Sequence, residues 1–443
     1  MSNTVALHTL GCKLNFSETS TIGKQFLSNG FSIVDFNDSA DVYVFNTCTV
    51  TENAERDCRQ LIRRALRTNP NAYIIVTGCY AQLRPEKIAG IPGVDAVLGT
   101  SEKFKLFSIL NNFDSSDLAC VHVGSLDDLN EFGEAHSTDA DNRTRAYFKI
   151  QDGCDYNCSF CTIPLARGSS RSMDSHKAVV EFQRLVEDGY KEIILTGVNV
   201  GDYGKKLDVE LYDLLLKLIQ VEGEFRIRIS SIEPNLLTDD IIDLIAIEEK
   251  LCNHLHIPLQ SGSSDILKAM QRRYTVKDYE NIIWRAIKKI NELCIGVDVI
   301  VGFPGETENH FIETHNFLRH LPISYLHVFT YSERPDTKAI DLPGRVEMKE
   351  RKRRNKVLRI LSDKKKRSFY ESMIGNKLSV LFENELIDGK MKGFTSNYIR
   401  IVNEYDETAI NKLKDFEINE ITSDGLCSGR FIDTKYSIDL ISA

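Results

Sequence analysis

Three cysteines, Cys154, Cys158 and Cys161, lie within one short polar loop. They follow an apolar segment from Tyr147 to Ile150 that predicts a strand. A structural zinc site usually closes with four ligands, and a cluster held by four cysteines is also closed. Three thiolates in one loop instead suit an iron–sulfur cluster that keeps one iron open for chemistry. The alternative is three buried structural cysteines, although thiols rarely crowd a polar loop without a ligand.

A second group of cysteines is spread over the first eighty residues. Cys12, Cys48 and Cys79 each come just after a segment that predicts a strand. Because the carboxyl ends of parallel strands meet at one edge of a sheet, these three residues are expected to converge. They predict a second three-cysteine cluster, again with one open iron. The other cysteines are interpreted as structural: Cys58, Cys120, Cys252, Cys294 and Cys427.

The elements that position these cysteines alternate between strand and helix. The first unit has predicted strands at 5–10, 41–45, 72–76 and 95–99 and helices at 17–29 and 52–68. The second has predicted strands at 146–151, 192–200, 225–232, 254–259, 295–302 and 325–331, with helices at 175–188, 209–220, 238–248 and 276–293. The first pattern predicts a parallel α/β sheet of flavodoxin-like type. The second predicts a partial (β/α)6 barrel with the Cys154 loop at its top face.

Polar and glycine-containing segments end the successive barrel strands and predict a ligand pocket at the same face. Gly197 lacks a Cβ, so the backbone there can approach a ligand closely. Phe160 packs either on the adenine of a cofactor or on the protein core. The expected cofactor-binding residues are Phe160, Thr196, Gly197, Asn199, Ser230, Glu233 and Gln260.

Three further segments complete the chain. Residues 114–142 carry many carboxylates and predict a solvated acidic linker, with one short strand at 120–123. Residues 349–367 are strongly basic and predict either a solvated helix face or a phosphate-binding surface. Residues from about 373 onward alternate like five short strands and predict a small β-barrel of a shape that often binds RNA. The expected RNA contacts are Arg353, Arg354, Lys364, Lys365, Lys366, Phe394 and Arg400, although Phe394 and Arg400 suit a core equally well.

Composition sets outer limits on these interpretations. A chain of 443 residues is expected to form two or three domains. Eleven cysteines without a signal-peptide pattern favour reduced thiols and metal binding. No run approaches the roughly 18 apolar residues of a membrane span. We therefore expect a soluble, cytoplasmic protein, whose net charge of −9 leaves any nucleic-acid binding to local patches.

These features together resemble the methylthiotransferase family of radical S-adenosylmethionine (SAM) enzymes. The resemblance rests on the two cysteine groups and on the segment from Arg167 to Ser172, and it covers nearly the whole chain. It implies two [4Fe-4S] clusters, with SAM bound at the open iron of the Cys154 group and sulfur at the other. It also implies an N-terminal cluster domain (1–113), a linker (114–142), a radical SAM barrel (143–345), a basic connecting helix (346–372) and an RNA-binding TRAM domain (373–443).

Within this family, the segment from Leu195 to Gly204 is most similar to the branch that acts on N6-threonylcarbamoyladenosine in tRNA. That resemblance implies 2-methylthiolation of the adenosine next to the anticodon, with the tRNA anticodon stem-loop as partner. It further implies a reducing electron donor such as flavodoxin or ferredoxin, no membrane and a monomer. The alternatives are the branches that act on N6-isopentenyladenosine or on a ribosomal-protein aspartate. A different class, a non-catalytic iron–sulfur protein that binds RNA, also remains open.

Overall fold

The amino-terminal part of the chain folds as a parallel sheet between two layers of helices. The computed structural model describes residues 3–48, 53–110, 113, 119–126, 129, 131–137 and 144–432. The first elements are β1 (Thr4–Thr9), α1 (Lys13–Ser28), β2 (Ser32–Val34), β3 (Val42–Thr47), α2 (Asn53–Thr68), β4 (Tyr73–Gly78), α3 (Cys79–Leu83), α4 (Pro85–Ala89), β5 (Ala96–Leu98), α5 (Leu106–Ile109) and β6 (Cys120–His122). The strand order is β2-β1-β3-β4-β5-β6.

Alternating residues of β3 explain why helices cover both faces of this sheet. Val44 packs with Phe26 of α1 in one hydrophobic cluster, whereas Phe45 packs with Ile62 of α2 in another. Because successive strand residues point to opposite faces, an entirely apolar strand needs cover on both sides. The predicted parallel α/β sheet is therefore confirmed.

The segment predicted as a solvated acidic linker contains the short strand that was predicted within it and also adds buried residues to the fold. Cys120–His122 pairs with β5 as the sixth strand of the sheet. Farther along, Ala135 is fully buried and His136 forms an antiparallel bridge with Phe148 of the barrel. Glu131 and Glu134 lie beside these contacts, whereas Asp114, Asp117, Asp127, Asp128, Asp139 and Asp141 fall outside the described residues. The amino-acid composition showed that this segment is acidic, but it did not show which apolar residues pack against the rest of the protein.

The middle of the chain forms the predicted partial barrel. Its six strands are β7 (Arg145–Lys149), β10 (Glu192–Thr196), β11 (Arg226–Ile229), β12 (His254–His256), β13 (Cys294–Val301) and β14 (Tyr325–Thr330), whereas β8 (Gln151–Asp152) and β9 (Arg171–Ser172) form a separate antiparallel pair. Its helices are α6 (Ile163–Arg167), α7 (Ser175–Glu187), α8 (Leu211–Ile219), α9 (Asp239–Ile247), α10 (Ser264–Ala269), α11 (Val276–Lys289) and α12 (Glu308–His320). Two parallel sheets, β7-β10-β11 and β12-β13-β14, are joined by parallel bridges such as Ser231 to His256.

The barrel encloses a polar interior. Its outward-facing strand residues, such as Ile193, Ile227 and Val297, pack against the helices in one hydrophobic core. The alternate residues of each strand therefore face inward. They include Arg145, Glu192, Arg228, His254, His256, Asp298 and His327. We call this interior the lumen.

The carboxyl-terminal part is a long helix followed by a closed barrel. These elements are α13 (Met348–Ser372), β15 (Lys377–Ile387), β16 (Lys390–Thr395), β17 (Arg400–Glu404), β18 (Leu413–Ile421) and β19 (Cys427–Phe431). The five strands close in the order β15-β16-β17-β19-β18, as the alternation predicted and as a TRAM domain requires. Within the described part of the chain, every helix is too short or too polar to cross a bilayer.

Buried ion pairs attach the small barrel to the lower end of the large one. Glu192 is fully buried and contacts Arg226 at 2.6 Å and Arg228 at 2.8 Å. The same two guanidiniums donate to backbone carbonyls of the small barrel, including Phe394 at 2.8 Å and Ser396 at 2.9 Å. A cluster of this kind fixes orientation, because separating its members would leave charges buried without partners.

Candidate functional site

The loop after β8 brings Cys154, Cys158 and Cys161 together. The backbone N–H of Cys161 donates to the Cys158 carbonyl at 3.1 Å, so the loop is tightly turned at these two cysteines. Burial raises the pKa of Cys154 to about 11 and that of Cys161 to about 12. Such thiols stay protonated at neutral pH unless a metal replaces the proton. The chemistry of this donor set therefore fits a metal cluster, as the spacing predicted.

Neighbouring donors point at these sulfurs. Arg272 Nη1 lies 3.0 Å from Cys158 Sγ, and the backbone N–H of Tyr156 donates to Cys154 Sγ at 3.4 Å. Arg272 also forms a buried ion pair with Glu233, which holds its guanidinium in place. Sequence reasoning did not find Arg272, because a single arginine after a short helix carries no local signal of a long-range contact.

The edge of the amino-terminal sheet brings Cys12, Cys48 and Cys79 together. β1, β3 and β4 are neighbours, and Thr9 pairs with Asn46 while Thr47 pairs with Gly78. Their carboxyl ends are therefore level. A Cβ added at Gly11 would lie 2.9 Å from the Cβ of Cys48, so only glycine permits this approach. Cys12 contributes to raising the pKa of the fully buried Cys79 thiol, which places these two sulfurs near one another as well.

Asn15 fixes the backbone around the second cysteine group. Its Nδ2 donates to Asn46 Oδ1 at 2.9 Å and to the Thr47 carbonyl at 3.1 Å. Cys12 Sγ in turn lies 3.1 Å from Asn15 Oδ1. Asn15 follows Cys12 by one helical turn, and that spacing is the only sequence signal of its role.

A buried charge cluster lies between the two cysteine groups. Glu18 of α1 contacts Lys103 at 2.7 Å, Arg167 at 2.8 Å and Lys149 at 3.3 Å. Asp152, just before the first cysteine loop, contacts Lys149 at 2.7 Å and Arg167 at 3.0 Å. Burial alone would raise the pKa of both carboxyls, but these cations hold the pKa of each well below its usual range.

Arg167 connects this charge cluster to the second cysteine group. Its Nε lies 3.2 Å from Cys79 Sγ, and its side chain is fully buried. Arg167 is on α6, directly after the loop of the first cysteine group. One side chain therefore joins the two predicted cluster sites.

The end of β10 contains orphaned polar atoms that fit a polar ligand. Thr196 Oγ1 and Asn199 Nδ2 are buried and have no hydrogen-bond partner among the described residues. Asn199 Oδ1 accepts a hydrogen bond from the backbone N–H of Glu233 at 3.3 Å, which orients the amide. Because a buried polar atom costs free energy until it is paired, these two positions suit the amino-acid end of SAM.

Gly197 serves the cluster loop rather than providing open space beside a ligand. A Cβ at Gly197 would lie 2.8 Å from Gln151 Oε1. Gln151 accepts from the Asn199 N–H at 2.9 Å and donates to the Gly153 carbonyl at 2.8 Å. The close approach expected at Gly197 is therefore made by a protein side chain, a difference that sequence alone could not reveal.

The remaining predicted cofactor residues differ in their surroundings. Ser230 is buried at the end of β11. Gln260 adopts a φ of 68° and its backbone bridges to β13, so its main chain shapes the rim of the barrel. Phe160 packs edge-on against Phe303 and belongs with the core, which is one of its two predicted roles.

The glycine-rich end of β13 docks the long helix instead of lining a pocket. A Cβ at Gly302 would lie 2.3 Å from Arg351 Cγ of α13. Glu306 accepts the Gly302 and Phe303 backbone N–H groups, and Arg354 of α13 lies 3.3 Å from the Glu306 carboxylate. This segment was expected to contribute to the ligand pocket, and the structure gives it a packing role.

The predicted RNA contacts on α13 divide into free and engaged side chains. Lys364 is exposed. Arg353 is half-exposed but pairs with Glu308 and Glu350 at 2.6 Å each. Arg354 is only 5% exposed, and Lys365 donates to the Leu321 carbonyl at 2.7 Å. Lys366 lies over the ring of Tyr370. Arg353, Arg354 and Lys365 therefore hold the helix to the barrel, whereas Lys366 packs within α13. The sequence of a basic segment does not show such partners.

Phe394 and Arg400 face the domain interface. Phe394 stacks on Tyr398 with ring centroids 4.9 Å apart and receives Arg145 on its face at 4.3 Å. Arg400 lies over the same ring and pairs with Glu383. The structure therefore places both residues in the packed alternative that the sequence left open.

The lumen holds a polar group that sequence reasoning missed. His256 Nε2 lies 2.9 Å and His327 Nδ1 lies 3.3 Å from Asp298 Oδ1. Lys13, the residue after Cys12, is near enough to Asp298 and Glu192 for both to influence its pKa. Burial and neighbouring arginines lower that pKa to about 8. No hydrogen bond or ion pair to Lys13 Nζ occurs within the described chain.

Sequence comparisons agree with this arrangement. Residues 4–99 match the family described as Uncharacterized protein family UPF0004, and residues 148–318 match the Radical SAM superfamily. A relative from Bacillus subtilis (strain 168), named threonylcarbamoyladenosine tRNA methylthiotransferase MtaB, is 41% identical over 93% of this chain and 92% of its own length. A protein of the same name from Aquifex aeolicus (strain VF5) is 40% identical over 90% and 96%. A tRNA-2-methylthio-N(6)-dimethylallyladenosine synthase from Clostridium botulinum (strain Hall) is 33% identical over 94% of both chains.

Solved structures support the fold. The radical SAM methyltransferase TsrM from Kitasatospora setae, with tryptophan and a SAM analogue bound, superposes with a TM-score of 0.57 at 14% identity. That match covers 87% of this chain and 79% of TsrM. The cobalamin-dependent SAM radical enzyme OxsB gives a TM-score of 0.51 over 77% of this chain and 54% of its own. At this identity the likeness concerns the fold alone.

Proposed function

This chain belongs to the radical SAM methylthiotransferase family, and from that premise we propose that it attaches a methylthio group to C2 of N6-threonylcarbamoyladenosine in tRNA. The observation that carries the proposal is the link through Arg167, which joins two separate three-cysteine groups across one buried charge cluster. A single group would suffice for radical formation alone, whereas a second group beside it suits sulfur transfer. The shared name of the two relatives at 41% and 40% identity supplies the substrate, whereas the dimethylallyladenosine relative is 33% identical.

Each cysteine group would hold one [4Fe-4S] cluster. Cys154, Cys158 and Cys161 would leave one iron for the amino and carboxylate groups of SAM, and the set Cys12, Cys48 and Cys79 would leave one for sulfur. When bound, these groups supply the radical and the sulfur that amino-acid side chains cannot, because the C2–H bond of adenine is not acidic.

The chain's own residues would bind SAM, favour the thiolate form of the cysteines and cover the lower end of the lumen. Thr196 Oγ1 and Asn199 Nδ2 would pair with polar atoms of SAM, which removes the cost of leaving them buried without partners. Arg272 and Arg167 each place a permanent positive charge beside a cysteine sulfur, which favours the thiolate form. The small barrel covers the lower end of the lumen, where Arg226 and Arg228 donate to its backbone carbonyls.

The partners follow from the substrate. A base next to the anticodon lies in a single-stranded loop, so it can be splayed out of the stack and enter the lumen from the top face. Exposed cations such as Lys364 would contact the tRNA backbone. We place the enzyme in the cytoplasm as a monomer that receives electrons from a small donor such as flavodoxin or ferredoxin.

Nucleoside analysis tests the proposal. The reconstituted protein is incubated with SAM, a reductant and tRNA that carries N6-threonylcarbamoyladenosine, and the digested nucleosides are measured by mass spectrometry. We expect the 2-methylthio derivative to form and 5′-deoxyadenosine to accumulate with it. Methylthiolation only of tRNA that carries the dimethylallyl group would move the enzyme to the other branch. Absence of 5′-deoxyadenosine from protein with a full iron content would overturn the assignment as an enzyme.

A further inference from the structure

The lumen carries more positive than negative charge. Lys13, Arg145, Arg226, Arg228 and, from the small barrel, Arg400 provide five cations near the carboxylates of Glu192, Glu383 and Asp298. The arginines satisfy their donors on Glu192, Glu383 and the small barrel. His254 is held neutral, because burial and nearby cations set its pKa well below the usual value. The lumen cations therefore outnumber the carboxylates, and among the described residues Lys13 is the one of these cations that forms no hydrogen bond or ion pair.

Lys13 lies between the second cysteine group and the lumen. Lys13 directly follows Cys12, so it connects the second cysteine group to the lumen. On the other side of the lumen, Asp298 is held between His256 and His327 at 2.9 and 3.3 Å. A cation and a hydrogen-bonding group thus lie in the same lumen, which is open to solvent at His327, beside the predicted sulfur-bearing site.

We propose that this lumen group, Lys13 with His256, Asp298 and His327, recognises the threonylcarbamoyl part of the substrate base. Lys13 pairs with the threonyl carboxylate, and the His256–Asp298–His327 group hydrogen-bonds the threonyl hydroxyl. The inference rests on the proposed function and adds the residues that select its substrate.

The lumen group would distinguish between the two possible N6 substituents, because one is charged and the other is apolar. A threonylcarbamoyl group offers one carboxylate, which suits a lumen in which cations outnumber carboxylates and Lys13 forms no ion pair. A dimethylallyl group is apolar and would leave Lys13 desolvated without a partner, which is costly. A site built for hydrogen bonds rejects an analogue that lacks the matching groups far more strongly than an apolar pocket rejects a polar one.

A bound cation at the same three side chains is the main competing interpretation. Their ligand atoms all lie within 4.8 Å of one another, which is close enough to hold a divalent ion. The unpaired Lys13 and the arginines below argue against it, because they make the lumen repulsive to a further positive charge.

A substrate–variant cycle tests the carboxylate contact. The holoenzyme, with both clusters reconstituted, acts on two anticodon stem-loop RNAs: one carries the threonylcarbamoyl group, and the other carries its carboxamide, which has no charge. We expect the wild type to prefer the carboxylate by at least about 30-fold in kcat/KM, as for a buried charge pair. Lys13→Gln should reduce that preference to less than about threefold, as a cycle through a direct contact requires. Equal preference in wild type and Lys13→Gln would overturn the inference.

Controls keep this inference separate from the proposed function. Lys24→Gln changes an exposed lysine on the same helix and should keep the wild-type preference and iron content. If Lys13→Gln loses iron, His327→Gln replaces it, tested with an RNA whose threonyl hydroxyl is removed. The wild type should then prefer the hydroxyl about tenfold, and His327→Gln should not. Wild type that modifies neither RNA would overturn the proposed function, whereas unaltered preference in active His327→Gln would overturn the lumen contact alone.

Discussion

Arg167 Nε lies 3.2 Å from Cys79 Sγ, so a side chain next to one cysteine group donates to a member of the other. The same guanidinium contacts Glu18 at 2.8 Å and Asp152 at 3.0 Å. Glu18 lies on α1 of the amino-terminal α/β unit, and Asp152 lies on β8 just before the first cysteine loop. Arg167 therefore fixes the two predicted cluster sites relative to each other.

Replacement of Arg167 tests this connection. Arg167→Leu leaves Glu18 and Asp152 short of a buried partner, so we expect a loss of about 3–5 kcal/mol in the free energy of unfolding. We also expect weaker retention of iron at the second group, because Cys79 loses its charged donor. Urea unfolding and iron analysis measure the two effects. Arg184→Leu, at an exposed arginine, is the control and should change neither. Stability equal to that of the wild type would show that the contact is dispensable.

Iron content tests the assignment of the amino-terminal cysteines. Cys48 stands at the carboxyl end of β3, whereas Cys58 is fully buried inside α2 among core residues. Cys48→Ala should lower the iron content from about eight to about four atoms per chain, since a cluster needs its thiolate ligands. Cys58→Ala should keep about eight. Equal iron loss in the two variants would break the ligand assignment.

The sequence predicted those features that depend on residues close together in the chain or on regular strand spacing. Three cysteines in one loop, and three more after successive strands, could be located by spacing, because strand periodicity and sheet topology fix where strand ends lie. The parallel sheet, the partial barrel and the five-stranded barrel followed from the same periodicities. Cys12, Cys48 and Cys79 therefore meet at one sheet edge as predicted.

What could not be predicted depends on partners distant in sequence. Arg272 reaches Cys158 across more than one hundred residues, and nothing near it announces that contact. The basic segment on α13 predicted a phosphate-binding surface, but Arg354 forms ion pairs with Glu306 and Glu350. A lone lysine in a helix usually faces water, so the sequence did not predict a role for Lys13. Only the packed structure shows which charges remain without partners.

Acid should weaken the joint between the amino-terminal sheet and the barrel. The pKa of Glu18 and that of Asp152 are lowered below their ordinary values of 4.5 and 3.8 in the folded protein. The stability that they contribute is therefore complete above about pH 5 and is lost as the pH falls through and below these values. Glu18→Gln removes one carboxylate and should cost about 3–5 kcal/mol at pH 7.

Chemical unfolding at several pH values measures this effect. The difference between wild type and Glu18→Gln should shrink as the pH falls below about 4.5, because the Glu18 carboxyl of the unfolded wild type then binds a proton while the folded protein keeps it ionised. Glu187→Gln, at the exposed end of α7, is the control and should match the wild type throughout. A difference that stays constant from pH 7 to pH 3 would mean that Glu18 acts through packing rather than through charge.

The long helix should show separate residues for RNA binding and for folding. Lys364 is exposed, so Lys364→Gln should weaken tRNA binding two- to threefold, or about 0.5 kcal/mol, and reduce the slope of log affinity against log salt by about one. Arg354 is 5% exposed and contacts Glu350 at 2.8 Å. Arg354→Gln should instead destabilise the protein by about 3 kcal/mol while leaving the salt slope unchanged. Filter binding at several salt concentrations, together with urea unfolding, separates the two effects. A reduced slope in Arg354→Gln with unaltered stability would reverse the assignment, because only a side chain that reaches the phosphates releases counterions.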